Sequence, residues 1–268
     1  NSVNDLLGDN EELKPDALKL YLKMTVMSIR QKLSNVNSLN SYFTKLRKIF
    51  IKKYPESHKL INETFMLSKD EKKKKEVMSA DSKNKKLDFM IMIPEDYVDG
   101  LVNSLRGSNN LHDKILLMIL TTGRRLIEVL KITEISEGKD KTQVVFDKMA
   151  KSRIKNLEVP ILNIEYPELK SIWNEVRAEL KKRDDSTKSN AMLTNKYNLT
   201  LNTRLKKILK SLKDRKISTH LLRKIYANAS YFKYGRKDQD RERFIGRILG
   251  HVENSDATQN YKNVKIIA

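Results

Sequence analysis

Three short segments in the second half of the chain carry residue types that could do chemistry together. They read TGRRLIEV at residues 122–129, HLLRKIYA at residues 220–227, and LGH at residues 249–251 followed by TQNY at residues 258–261. An arginine guanidinium is a planar fork that grips two phosphate oxygens and keeps its charge. A tyrosine hydroxyl can attack phosphorus and form a covalent ester. These residue types therefore suit the cutting of a phosphodiester by a tyrosine while arginines hold the phosphate.

The order TGxRxxEV, HxLRxxxA, and LGH followed by TQxY resembles the motifs of the tyrosine recombinase superfamily, whose members break and rejoin DNA. The resemblance implies that Tyr261 is the nucleophile and forms a 3′-phosphotyrosine intermediate. It implies that Arg125 and Arg223 clamp the phosphate oxygens, and that His220 and His251 hydrogen-bond to the same phosphate. Because the phosphotyrosine conserves the energy of the broken bond, the resemblance also implies that neither a metal nor a nucleotide cofactor is used.

Two further roles follow from the same resemblance. Glu128 lies three residues after Arg125 and would orient its side chain. The general acid of the family is a lysine at the tip of a hairpin, and Lys151, in the AKSR between two predicted strands, is the best match. Lys148 is the alternative, and Lys155 is a weaker one because it falls within the second predicted strand.

Four other basic residues are candidates for contacts with DNA, namely Arg124, Lys224, Lys48 and Lys52. Arg124 is adjacent to Arg125, and successive residues of a helix point about 100° apart. Both arginines therefore cannot enter one site, and we expect a backbone contact or a solvent-facing position for Arg124.

Within the superfamily the chain most resembles the telomere resolvases, which convert a replicated palindromic junction into two covalently closed hairpin ends. The resemblance lies in GRRxxEV at residues 123–129, in RKIYA at residues 223–227 leading to Ser230-Tyr231, and in the loop from His251 to Tyr261. That loop is one residue longer than in ordinary phage integrases. The histidine of the second motif, by contrast, is typical of ordinary recombinases.

Two alternatives remain open. A site-specific integrase or recombinase would use the same residues through a Holliday junction and leave exchanged DNA arms. A catalytically inactive DNA-binding protein would keep the motifs without the chemistry, although every chemical role here has a candidate residue. We therefore predict a telomere resolvase that acts as a homodimer or tetramer on double-stranded DNA with a palindromic or inverted-repeat site.

The charge balance also favours a nucleic acid partner. The chain has 54 Lys and Arg residues against 34 Asp and Glu residues, a formal net charge of +20 that a polyanion would neutralise. The absence of cysteine excludes disulfides and thiolate metal sites, and no GxxxxGK[ST] phosphate loop occurs. No apolar run of about 18 residues indicates a membrane span. We expect the cytoplasm or nucleoid of a bacterium or its phage as the location, or else a viral origin.

Composition and periodicity predict two domains. Residues 1–86 should form an N-terminal helical DNA-binding domain, in which residues 11–54 give two helices. The lysine-rich residues 69–87 are interpreted as a helix end followed by a linker. Residues 87–268 should form the catalytic domain, and we expect the two domains to make a C-shaped clamp around duplex DNA.

The catalytic domain is predicted to be mainly helical, with a small antiparallel β-hairpin. Residues 111–121 are apolar on nearly all sides, which indicates a buried helix that ends at Thr122-Gly123. Residues 142–148 and 154–161 are rich in β-branched side chains and predict the hairpin. Further helices are expected at residues 166–182, 199–213, 218–234 and 238–249.

Overall fold

The computed structural model describes residues 13–88, 90–150, 154–212, 217–251 and 258–268, with only the backbone described for residues 82–88. The chain divides into two compact units, Asn1–Lys85 and Lys86–Ala268. Across the described ranges, no helix is both long enough and apolar enough to cross a membrane.

The first unit consists of helices around an apolar core. The helices are α1 (Pro15–Lys32), α2 (Val36–Lys53), α3 (His58–Thr64), which follows a 3-10 turn (Pro55–Ser57), and α4 (Lys69–Asp88). The largest fully buried side chains of this core are Leu18, Leu22, Phe43, Leu46, Phe50, Ile61 and Phe65. On α2 the apolar residues face this core, whereas Lys48 and Lys52 lie on the exposed face, as the pattern predicts.

The lysine-rich segment is one continuous helix, α4, which corrects the interpretation of a helix end followed by a linker. Ser68 and Glu71 form a capping box at its start. The Glu71 carboxylate accepts from the Ser68 backbone N–H at 2.7 Å, and the Ser68 hydroxyl accepts from the Glu71 N–H at 3.1 Å. Arg30 of α1 also pairs with Glu71 at 2.9 Å. This cap and ion pair favour the helix despite the repulsion among its lysines.

The second unit combines helices with two small sheets. Its elements are β1 (Ile91–Pro94), α5 (Glu95–Arg106), α6 (Leu111–Thr122), a π-helical turn (Glu128–Ile132), β2 (Ile135–Glu137), β3 (Gln143–Phe146), β4 (Leu157–Pro160), α7 (Tyr166–Lys182), α8 (Asn190–Ile208), a 3-10 turn (Lys210–Leu212), α9 (Thr219–Tyr234), α10 (Arg241–Leu249), a second 3-10 turn (Thr258–Tyr261) and β5 (Val264–Ile267). The prediction of a mainly helical fold with a small antiparallel sheet is confirmed. The clamp around DNA stays a prediction.

The two sheets connect distant parts of the second unit. Strands β3 and β4 form the predicted antiparallel hairpin, with Phe146 opposite Leu157, and β2 adds a third strand beside β3. A parallel pair that was not predicted joins β1 to β5, with Ile91 opposite Val264. This pair anchors the segment that follows Tyr261 to the start of the unit.

Helix α6 lies in the core and packs against α5, α7 and α9. Every residue from Ile115 to Thr122 is buried, as its apolar composition predicts. The helix ends at Gly123, which has φ +65°, a left-handed conformation that glycine adopts without strain. A Cβ atom at Gly123 would also collide with the ring of Tyr226 on α9. Glycine is therefore required at this turn, from which the first arginine motif continues.

Candidate active site

The turn after α6 places the first arginine of the predicted site. The Arg125 guanidinium donates from Nη1 to Glu128 Oε1 at 2.8 Å, and the Arg125 backbone N–H donates to Glu128 Oε2 at 2.8 Å. One carboxylate thus holds both the backbone and the side chain of Arg125. The side chain stays 25% exposed, so it remains accessible to a phosphate.

Glu128 is fully buried and is the first residue of the π-helical turn, a feature that often marks functional sites. Its Oε1 also accepts from the Ala150 N–H at 3.0 Å, and its Oε2 lies 3.9 Å from Arg223 Nη1. Burial alone would raise the pKa of Glu128. The charge of Arg124, the hydrogen bond from the Arg125 N–H and the charge of Arg223 outweigh it, so the pKa lies below its usual range. Glu128 therefore carries a negative charge between Arg125 and Arg223.

Arg223 lies on α9 and is almost completely buried. Its Nε donates to the Tyr261 hydroxyl oxygen at 2.8 Å, its Nη1 to the Gly123 carbonyl at 2.6 Å, and its Nη2 to the Leu249 carbonyl at 3.1 Å. A single guanidinium therefore joins the turn after α6, the end of α10 and the candidate nucleophile. Three acceptors in different directions fix the plane of this guanidinium.

Tyr261 ends the 3-10 turn before β5, and only 3% of its surface is exposed. Its backbone carbonyl accepts from Asn228 Nδ2 at 3.1 Å. Two residues further on, the Asn263 side chain accepts from Lys224 Nζ at 2.7 Å. Both contacts come from α9, the helix that also carries Arg223. The backbone around Tyr261 is thus held by the same helix that contacts its hydroxyl.

The two predicted histidines both lie beside the ring of Tyr261. The ring centroids lie 5.6 Å apart for His220 and 5.5 Å apart for His251. His220 is exposed on α9, whereas His251 is half-buried after α10, with its Nδ1 3.1 Å from Thr258 Oγ1. Burial, reinforced by the positive charge of Arg223, lowers the pKa of His251 to about 4. The imidazole of His251 is therefore neutral at neutral pH.

The predicted general acid, Lys151, lies outside the described residues. The alternative, Lys148, is exposed just after β3, with its Nζ 3.8 Å from an Asp147 carboxylate oxygen. Lys155 is also exposed and precedes β4, rather than lying within that strand as predicted.

Arg124 is fully buried, so the prediction that it contacts DNA is wrong. The prediction treated Arg124 and Arg125 as neighbours on one helix. Instead, helical structure resumes at Leu126, and the Arg124 side chain turns inward. Its Nε donates to the Thr122 carbonyl at 3.1 Å, and its Nη2 to the Ile248 carbonyl at 2.6 Å. Arg124 and Arg125 therefore point in different directions, as expected of neighbours.

The other candidate DNA contacts have different surroundings. Lys48 and Lys52 are exposed in the first unit, and Lys224 is half-buried at its contact with Asn263. Contact of these three lysines with DNA stays a prediction.

Sequence reasoning missed the polar residues that support the site. Asn228 Oδ1 accepts from Arg241 Nη2 at 2.5 Å, and the same nitrogen donates to the Val264 carbonyl at 2.6 Å. Thr258 pairs with His251, as described above. Asn228 lies on α9, the helix of the second motif, but its position relative to that motif does not separate it from an ordinary buried asparagine. No signal in a single sequence distinguishes it.

Comparisons with known proteins agree with the family predicted from the motifs. A family model described as the telomere resolvase ResT/TelK catalytic domain matches residues 90–263. Protelomerase TelA covalently complexed with substrate DNA is 16% identical, with a TM-score of 0.78 over 98% of this chain and 92% of that chain. A TelA mutant complexed with a DNA hairpin product is 15% identical, with the same TM-score and coverage. Protelomerase TelK complexed with substrate DNA is 19% identical, with a TM-score of 0.61 over 94% of this chain and 58% of that chain. No curated protein sequence matches the chain.

Proposed function

The chain belongs to the telomere resolvase family, as its motifs predicted, and we propose that it breaks and rejoins DNA to make covalently closed hairpin ends. The family match confirms the predicted class of enzyme. The observation that carries the proposal for the site is the contact between Arg223 and the hydroxyl of Tyr261. This contact places the nucleophilic hydroxyl beside a guanidinium that two backbone carbonyls already orient.

In the cleavage step, the Tyr261 oxygen attacks the phosphorus of the scissile phosphodiester. An oxygen–phosphorus bond forms as the bond from phosphorus to the 5′ oxygen breaks. The phenolic proton is released, and a proton is delivered to the departing 5′ oxygen. The products are a 3′-phosphotyrosine and a free 5′ hydroxyl.

Rejoining reverses this chemistry on a different strand end. The 5′ hydroxyl of the opposite strand attacks the phosphotyrosine, its oxygen bonds to phosphorus, and the tyrosine oxygen leaves and regains a proton. Because one phosphodiester replaces another, no external energy source is needed. Attack by the opposite strand closes a hairpin.

Arg125 and Arg223 supply positive charge to the non-bridging oxygens of the transition state. Glu128 already orients Arg125, and the carbonyls of Gly123 and Leu249 already orient Arg223. Donors that are oriented in advance stabilise a transition state without the cost of reorganisation.

The histidines and a lysine complete the proposed site. When the Thr258 hydroxyl donates to Nδ1 of His251, the ring proton resides on Nε2, which can then donate to a phosphate oxygen. His220, whose ring also lies beside that of Tyr261, contacts the same phosphate. Lys151 is the proposed general acid for the 5′ oxygen, and Lys148 is the alternative.

Double-stranded DNA is the partner of this reaction, in keeping with the net charge of +20. We propose a palindromic or inverted-repeat site, because two strands must be cut and two hairpins closed. A symmetric site suits a symmetric assembly, in which each copy cuts one strand. A homodimer supplies the required two active sites, and a tetramer is the alternative. For the location we propose the cytoplasm or nucleoid of a bacterium or its phage, with a viral origin as the alternative.

A cleavage reaction tests the proposal. The substrate is a palindromic duplex that carries the joined telomeres of the replicon encoding the chain, and the reaction contains neither divalent cation nor nucleotide. On a denaturing gel, the native protein should yield snap-back hairpins and the Tyr261→Phe variant none. The matched control Tyr234→Phe loses only a hydroxyl that donates to the Ile161 carbonyl and should stay active.

The other outcomes contradict parts of the proposal. Exchanged arms without hairpins would assign the chain to strand exchange between duplexes. Cleavage by Tyr261→Phe would assign a different nucleophile. The absence of any covalent intermediate from the native protein on its own telomere junction would contradict the chemistry as a whole.

A further inference from the structure

A third arginine, Arg124, is fully buried and precedes Arg125 in the first motif. Besides the carbonyls of Thr122 and Ile248, its guanidinium contacts the hairpin. Nη1 lies 3.0 Å from the Met149 sulfur, and the guanidinium carbon lies 4.7 Å from the centre of the Phe146 ring. One side chain therefore contacts the end of α6, the end of α10, and the segment that follows β3.

The burial of Arg124 has an energetic cost that packing alone does not explain. Its exposed fraction is 0%, and the charge of the nearby Glu128 offsets only part of the cost of burial. Burial, together with the charge of Arg223, lowers the pKa of Arg124 to about 10. An apolar side chain of similar volume would fill the same space without desolvating a charge. The contacts that only a guanidinium can make must therefore serve a purpose other than filling space.

The groups that Arg124 contacts lie within three residues of proposed catalytic residues in the sequence. Met149 follows Lys148 and lies two residues before Lys151, so both lysine candidates flank this contact. Ile248 lies three residues before His251. The segment after β3 is also held at its next residue, because the Ala150 N–H donates to Glu128, as described above.

The hairpin and the end of α10 also approach each other directly. A Cβ atom built at Gly250 would lie 3.1 Å from Leu157 Cδ2 and 3.2 Å from Met149 Cε. Gly250 has φ +65°, a conformation that favours glycine, and this close approach leaves little room for a side chain. Arg124 bridges this junction by donating to Ile248 on one side and contacting Met149 on the other.

We propose that Arg124 is a positioning residue that fixes the segment after β3 against the end of α10, and so places the leaving-group acid at the scissile phosphate. The inference rests on the proposed function. It requires Arg124 to act through a lysine of this segment rather than by touching DNA.

Chemical rescue distinguishes this role from a general structural one. Two DNA substrates are compared in single-turnover reactions, one with the natural 5′ bridging oxygen at the scissile phosphate and one with sulfur in its place. A thiolate is a much better leaving group than an alkoxide, so the sulfur substrate does not need the general acid. The variants are Arg124→Met and Arg124→Lys. The control Arg236→Met removes an exposed arginine whose ion-pair partner, Asp238, is also exposed.

Misplacement of a reacting group by about 1 Å can cost about 100-fold in rate. We therefore expect Arg124→Met to cleave the oxygen substrate about 100-fold more slowly than the native protein, and the sulfur substrate nearly as fast as the native protein does. Arg124→Lys keeps the charge but loses the planar fork. Its cleavage rate on the oxygen substrate should lie between the rates of the native protein and of Arg124→Met, and the sulfur substrate should restore its rate in the same way. Arg236→Met should cleave both substrates at native rates.

Three results would overturn the inference. One is an equal loss on both substrates by a variant that circular dichroism shows to be folded. Another is native activity of both Arg124 variants on the oxygen substrate. If Arg124→Met does not fold, the test depends on Arg124→Lys alone. The third contradicting result is then a slower cleavage of the oxygen substrate by Arg124→Lys that the sulfur substrate does not restore. Failure of the proposed function is distinguishable, because the native protein would then form no covalent adduct with either substrate.

Discussion

Arg223 and Tyr261 are joined by a hydrogen bond of 2.8 Å from Nε to the phenolic oxygen, although they lie 38 residues apart in the chain. Two further donors of Arg223 hold the carbonyls of Gly123 and Leu249. The position of the nucleophile therefore depends on the same side chain that we propose to grip the phosphate. Changes at Arg223 should accordingly affect the chemical step more than the binding of DNA.

Replacement of Arg223 by lysine tests this dependence. A lysine ammonium keeps the charge but lacks the planar fork that reaches three acceptors. Loss of one oriented donor in a transition state costs roughly 10²- to 10³-fold in rate, so single-turnover cleavage should slow by at least that amount. DNA binding, measured by fluorescence anisotropy, should change far less. The exposed Arg236→Lys serves as the control, and equal effects of the two substitutions would contradict the assigned role.

Gly123→Ala tests the turn after α6. A residue other than glycine in a left-handed conformation costs about 1–3 kcal/mol, and the collision with the Tyr226 ring adds to that cost. The free energy of unfolding in urea should fall accordingly. Gly100→Ala in α5 is the matched control, because no atom lies within 4 Å of its added methyl group. That control should gain roughly 0.5–1 kcal/mol, and similar results for the two variants would contradict the account of the turn.

Glu128→Gln tests the buried carboxylate between the two arginines. Removal of one partner of a buried ion pair costs about 3–5 kcal/mol, because the remaining charge stays buried without compensation. We expect the free energy of unfolding to fall by an amount of this order and the cleavage rate to fall with it. Glu168→Gln removes a more exposed pair with Arg106 and should cost less than about 1 kcal/mol. A larger loss for Glu168→Gln than for Glu128→Gln would be inconsistent with this role.

The lowered pKa of His251 predicts a specific dependence of stability on pH. Its pKa is about 4 in the folded chain, below the ordinary value of 6.5, so the unfolded chain binds the proton first. The contribution of His251 to the free energy of unfolding is therefore fully present above about pH 6.5 and is lost as the pH decreases from 6.5 towards 4. The free energy of unfolding, measured over this range, should change less steeply for His251→Gln than for the native protein. Parallel curves would show that His251 is not the responsible group.

Much of the site was predictable because its residues occur in short ordered motifs. The pairing of Arg125 with Glu128 depends on residues three apart, and the helix predicted at residues 166–182 is observed over that range as α7. Motif spacing also placed both histidines near Tyr261. These features depend on local sequence, which a single chain reveals.

The features that were missed depend on distant or exceptional contacts. The β1–β5 pair joins two four-residue strands from opposite ends of the unit, and such short strands have no clear periodicity. Helix α8 begins at Asn190, earlier than predicted, because the Ser189 hydroxyl caps it by accepting from the Met192 N–H. The burial of Arg124 opposes the usual preference of arginine for solvent, so no rule based on residue type predicts it.

Identification of the tyrosine that becomes joined to DNA tests the central claim most directly. A substrate with sulfur at the 5′ bridging position should allow the covalent adduct to accumulate, and trypsin with nuclease would then reduce it to a peptide that carries a nucleotide. The account predicts the modification on the peptide of residues 248–262, whose sole tyrosine is Tyr261. Modification of the peptide of residues 225–233, which contains Tyr226 and Tyr231, would contradict the assignment of the nucleophile.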